Sequence, residues 1–187
     1  MSSTLIWCLL IVLGGAVASD ISTRKIPNWL VLAGLVVGVT GNLALALMEP
    51  GGGTGLLADG LFQSLLGGVV GLCLTLPLYA LRAMGGGDVK LMAAVGTFLG
   101  PLQVAGAVLL TFVAGGVLSL SAAIVLGVLP RVMANMKLIG FLTFSGPKAW
   151  SMMSEIQTNG RLPYAIAVAV GTVLQIWLAS RGSWPFA

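Results

Sequence analysis

Asp88 stands behind three glycines, in Gly85-Gly86-Gly87-Asp88-Val89-Lys90, between runs apolar enough to cross a membrane. An ionised aspartate near a bilayer centre costs roughly 2.5 to 3.5 kcal/mol on insertion scales, so such a residue signals function and needs a partner. Asp20 is the partner the chain offers, because it ends the first apolar run as Asp88 opens the fourth. The other acids have plainer roles: Glu49 precedes Pro50 in a loop, Asp59 sits before the third run, placed to cap backbone amides, and Glu155 lies in a polar segment. Two carboxylates a few ångströms apart do not both ionise cheaply; they share a proton and work as base and acid. One draws a proton from a water held between them while the other protonates or hydrogen-bonds a scissile carbonyl. The chain has no His, and Cys8 and Cys73 show no metal or redox spacing, so they read as small core hydrophobes. No metal or cofactor is expected. The dipoles of the aspartates' own helices favour Asp88 as the anion and Asp20 as the acid. The structural alternative has Asp88 capping its helix and Asp20 paired with Arg24.

The elements that must position this pair are membrane spans. Of 187 residues 58% are hydrophobic and 7% charged, against about 25% charged in a soluble domain, so the chain reads as an all-α, polytopic membrane protein in one domain spanning 1–187. Apolar runs at about 3–19, 29–48, 60–81, 89–100, 102–129 and 163–180 predict six spans. The fourth is short: twelve residues give roughly 18 Å against about 30 Å of hydrocarbon. Gly100-Pro101 separates it from the fifth, since the residue before a proline is biased away from helix; the alternative is a hairpin turning inside the membrane. Residues 1–19 resemble a secretory signal only superficially, with no basic residue at the start.

When six spans alternate sides, Arg24, Lys25, Arg82, Lys90, Arg131, Lys137, Lys148 and Arg161 share one side and Arg181 alone takes the other. The basic side is the cytoplasm, so both termini face outward and both aspartates lie near the cytoplasmic plane. The net charge of +4 is too sparse for a nucleic-acid footprint, and no nucleic-acid partner is expected. Residues 130–162 interleave basic, aromatic and Met side chains and read as an interfacial segment on the inner leaflet, with a substrate-docking lid as the sharper alternative. Glycines before Asp88 allow positive φ and close backbone approach, and Lys90 is placed to snorkel to the interface or tune the pair. A phosphate loop is excluded, because Asp88 follows Gly87 and Leu91 follows Lys90.

These residues resemble the type IV prepilin peptidases, membrane aspartic proteases of the GxGD type. Asp20-Ile21-Ser22-Thr23-Arg24-Lys25-Ile26-Pro27-Asn28 looks like the family's first aspartate motif, and Gly85-Gly86-Gly87-Asp88-Val89-Lys90-Leu91 looks like its second. Leu162-Pro163-Tyr164-Ala165 resembles a Pro-Tyr-Gly element opening the last span, with Ala165 in place of the glycine. The resemblance implies Asp20 and Asp88 as catalytic, Gly85, Gly87, Lys90, Pro27 and Asn28 as supporting the site, and Arg24, Lys25 and Tyr164 as substrate-binding. It also implies a bacterial inner-membrane enzyme of the short form, without the methyltransferase region and closest to peptidases of Flp-type, tight-adherence pili. The partners implied are the lipid bilayer, the pilus assembly machinery and a prepilin, whose short basic leader is removed after a Gly. Substrate recognition by packing of its helix between spans is expected at Gly67, Gly68, Gly71, Gly115 and Gly116. The rival from another class is a small transporter or channel using Asp20 and Asp88 as a proton or cation relay. Polar span residues such as Thr75, Gln103, Thr111 and Gln175 are too scattered to favour it. A catalytically dead assembly factor is the third reading, and the intact aspartates oppose it.

Overall fold

A computed structural model describes residues 2–48, 54–80, 84–125, 127, 164–182 and 184–186, with side chains from residue 59 onward in the second stretch. These residues form six helices and no strand: α1 (Ser3–Thr23), α2 (Asn28–Met48), α3 (Thr54–Ala80), α4 (Gly86–Leu99), α5 (Pro101–Val125) and α6 (Ala165–Ser180). Glu49, Glu155 and the 130–162 segment lie outside the described residues. The chain divides into two compact units, Met1–Gly115 with Pro163–Ala187, and Gly116–Leu162. Everything below concerns the first.

The chain is all-α and polytopic. α1, α2, α5 and the Asp59–Ala80 part of α3 are long and apolar enough to cross a membrane. Large apolar side chains such as Trp7, Ile11, Trp29, Leu32 and Val36 are exposed, a surface suited to lipid rather than water. Helix bounds differ from the apolar runs wherever polar residues continue a helix. α1 runs on to Thr23, which puts Asp20 inside its last turn, and α4 begins at Gly86, which puts Asp88 in its first. Asp59 lies within α3 rather than before it, so it does not cap that helix. Cys73 is exposed rather than a core residue, while Cys8 packs against the core.

α4 is the hub. Residues 91–99 are all buried, and α1, α2, α3 and α6 all pack against the helix. Its 14 residues reach about 21 Å, short of the roughly 30 Å hydrocarbon. A helix ending at membrane depth is tolerated only where protein satisfies its last carbonyls. Asn42 Nδ2 and Ser64 Oγ both donate to the Thr97 carbonyl at 2.7 Å. Beyond Leu99 a cavity of about 640 Å³ opens, with Asn42, Gln63, Ser64 and Gln103 among its walls. Gly100, at φ +80°, ends α4, and Pro101 starts α5 directly. In the left-handed region a residue with a Cβ is strained, which is why the break falls on glycine.

α3 meets α4 through bare backbone. A Cβ on Gly67 would collide with the Gly96 carbonyl, one on Gly96 with the Gly67 carbonyl, and one on Gly71 would come within 2.6 Å of the Met92 carbonyl. Gly67, Gly68 and Gly71 are therefore filled by α4, and Gly115 by Tyr164, so these four positions offer no groove to a substrate helix.

α6 carries a fully buried Gln175 whose amide is satisfied by the chain's own tail. Its Nε2 donates to the Phe186 carbonyl at 2.8 Å, and its Oε1 accepts from Trp184 Nε1 at 2.7 Å. Trp184→Phe strands that oxygen. We expect a loss of about 1 to 3 kcal/mol, read as a lower Tm in detergent, and recovery of most of it when Gln175→Leu is added.

Candidate active site

Asp20 belongs to the buried stripe of α1 formed by Leu5, Leu9, Val12, Leu13 and Ala16, which faces the bundle. Such a stripe follows the spacing of one helix face. The helix ends just past it. Arg24 adopts φ 52°, and its amide donates to the Asp20 carbonyl at 2.9 Å. This is a left-handed helix stop made without glycine, at a cost of roughly 1 kcal/mol or more. Ser19 Oγ and Thr23 Oγ1 then donate to the Lys25 carbonyl at 2.9 and 3.1 Å, tying the turn back onto α1. Pro27 launches α2, its carbonyl accepting from Leu30 and Val31.

The two motifs meet at this turn. Ile26 lies over Gly87, where a Cβ would sit 3.2 Å from the Ile26 Cβ, and Lys90 Nζ donates to Asn28 Oδ1 at 3.3 Å. Gly87 thus serves contact between the motifs, and Lys90 links α4 to α2. A Cβ on Gly85 would sit 2.8 Å from Asp88 Oδ2, so that carboxyl folds back over the start of its own helix. Tyr79 at the end of α3 covers Gly86.

Asp20 and Asp88 are each only 8% exposed. They are close enough that the charge of Asp20 acts on Asp88. Their surroundings differ. Asp20 Oδ2 accepts a hydrogen bond of 3.1 Å from the backbone N–H of Ala165, at the start of α6. Asp88 Oδ1 is buried and has no hydrogen-bond partner among the described residues. Tyr164, half-buried, sets its phenol against Gly115 of α5 and lies within reach of the Asp88 charge.

The structure thus gathers Asp20, Asp88, Gly85, Gly87 and Tyr164 around one buried carboxyl pair, with Pro27, Asn28 and Lys90 in the joint beside it. Arg24 and Lys25 are exposed on the turn. Ser19, Thr23, Ile26, Tyr79 and the Ala165 amide were not singled out as site residues by sequence reasoning. Thr23, Ile26 and Ala165 lie within the motifs quoted above, whereas Ser19 and Tyr79 carry no such signal. A buried carboxyl pair with one oxygen unpartnered is suited to holding and polarising a water or a carbonyl.

The sequence model of the type IV leader peptidase family matches residues 4–120, which include both aspartate motifs and end before Tyr164. No curated protein and no solved structure matches the chain.

Proposed function

The chain belongs to the type IV leader peptidase family, and on that premise we propose that it removes the short leader of Flp-type prepilins, using Asp20 and Asp88 as its catalytic pair. The observation that carries this reading is the pair itself: two buried carboxyls from helices far apart in sequence, with Asp88 within the field of Asp20.

In the reaction one carboxylate takes a proton from a water lodged between the two, and the water oxygen bonds to the scissile carbonyl carbon. The other carboxyl gives its proton to the carbonyl oxygen. The tetrahedral centre then collapses, the C–N bond breaks, and the amine leaves with a proton returned by the pair. The whole sequence uses protons already present. The cations at this end support a position at the cytoplasmic membrane face: Arg24, Lys25 and Lys90 flank the pair, and Arg181 lies at the far end of α6. There a leader is met just before its hydrophobic helix enters lipid. With Gly67, Gly68 and Gly71 filled by α4, that helix docks elsewhere on the bundle.

The test is co-expression with a Flp-type prepilin, with the mature N-terminus read by mass spectrometry. We expect one cut after the leader's final Gly. An intact prepilin alongside proton or cation flux in proteoliposomes would favour the relay reading instead.

A further inference from the structure

We propose that the turn between α1 and α2 is a stiff spacer that sets the gap between Asp20 and Asp88, with Ile26 as the positioning residue that transmits it to α4 through Gly87. Its catalytic meaning rests on the peptidase reading, and its geometry does not.

A water shared by two carboxyls needs a fixed distance between them, and an error of about 1 Å at a reacting group costs on the order of 10²-fold in rate. Asp20 and Asp88 stand on different helices, so a contact between those elements must hold the distance. The chain from Asp20 to Asn28 is tied at each step. The Arg24 amide closes on the Asp20 carbonyl, with Arg24 at φ 52°. Glycine takes this conformation without strain but leaves a turn free to move, whereas an arginine there has fewer conformations open to it. Ser19 Oγ then donates to the Lys25 carbonyl at 2.9 Å, and Thr23 Oγ1 stands 3.1 Å from the same oxygen. That carbonyl belongs to the peptide plane leading into Ile26. On the other side of Ile26, Pro27 has a fixed φ and biases the residue before it to extended backbone. Ile26 is itself β-branched and stiff at χ1. Its direction is thus set from both sides.

What Ile26 meets is the first turn of α4. A Cβ on Gly87 would sit 3.2 Å from Ile26 Cβ and 3.5 and 3.6 Å from its Cγ1 and Cδ1, and Asp88 is the next residue. The φ of Gly87 is not positive, so its backbone does not require glycine; room for Ile26 does. Tyr79 of α3 touches the neighbouring Gly86, where a Cβ would lie 3.3 Å from its ring, and Lys90 Nζ reaches Asn28 Oδ1 just past the turn. The start of α4 is therefore seated on the turn immediately ahead of Asp88. A change in the turn moves Asp88 relative to Asp20.

The test exchanges bulk across the contact. Gly87→Val drives Ile26 and α4 apart, and Ile26→Gly leaves slack in the same place. Each is expected to lower kcat for prepilin cleavage by about tenfold or more, with KM changed by less than about twofold. Combined in one chain, which nearly restores the volume at the contact, they should cut faster than either single variant. Losses that multiply, or that fall on KM, overturn the spacer. A second measurement needs no substrate: deuterium exchange in detergent at the Asp88 and Val89 amides, which donate to the Gly85 carbonyl at 3.1 and 3.2 Å, reads the seating of α4. Removing both hydroxyl ties on α1 with Ser19→Ala and Thr23→Val should speed that exchange by about threefold or more, while Ser19→Thr leaves it native. Exchange unchanged by the loss of both ties overturns the spacer, whether or not the bulk variants fold. A native chain that cuts no prepilin defeats the peptidase reading alone, and the exchange result still decides the spacer.

Discussion

Asp20→Ala and Asp88→Ala are each expected to lower kcat/KM for leader removal by at least about 10³-fold, with the double variant no worse than the slower single. General acid–base catalysis by a positioned group contributes about 10² to 10⁴-fold, and groups acting as one unit lose their effect once rather than twice. Multiplicative losses in the double variant would mean two independent roles and would sink the shared-water mechanism. Both variants should remain folded, since each trades a buried carboxyl for an apolar group. A single cooperative thermal transition in detergent, as for the native chain, checks this. At Asp20 the comparison also bears on α6, because Asp20→Ala leaves the Ala165 amide unpaired, whereas Asp88→Ala removes an oxygen that has no partner among the described residues. The Asp20 variant should be the less stable of the two, by about 1 kcal/mol or more.

The second large effect is expected at the contact between α3 and α4. Gly96→Val places a branched side chain where the Gly67 carbonyl and the Gly68 amide already lie against α4. Backbone cannot rotate aside as a side chain can. The helices must separate, at about 3 kcal/mol or more, and Asp88 moves with α4. We expect a markedly lower Tm and loss of leader cleavage together. Gly14→Ala is the matched control, because nothing lies within 4 Å of an added Cβ there. It should leave activity intact and alter stability by no more than about 1 kcal/mol, in the favourable direction. Similar losses in both variants would mean that glycine matters for helix flexibility and not for this contact.

The legible part of the site was its acids. Asp20 and Asp88 stand out because so few charges occur in so apolar a chain, and their placement at the ends of predicted spans put them on one side of the membrane. The glycines before Asp88 were legible as sites of close approach, though what approaches them was not: Ile26 covers Gly87, Tyr79 covers Gly86, and the Asp88 carboxyl itself lies over Gly85. Helix ends were read too short at Asp20 and Asp88, since a hydropathy boundary marks where charge begins, and backbone hydrogen bonds continue beyond it. Asp59 was misplaced for the same reason. Cys73 shows a further limit: in a chain this apolar, hydrophobicity does not distinguish a residue facing lipid from one facing the core.

Composition and the spacing of charge by themselves determined that this is a membrane protein of about six helices, the fourth too short to span alone, and marked two aspartates as its candidate reactive groups. Those conclusions need only transfer energies and rise per residue, which are local properties. The tertiary structure decided which face of each helix turns inward, that α3 and α4 touch through bare glycine backbone, and that the N-terminus of α6 arrives at Asp20. Helices apolar all round carry no pattern from which a facing side can be read. A hydrogen bond spanning 145 positions, from Ala165 to Asp20, exists only once packing has brought the last helix back to the first.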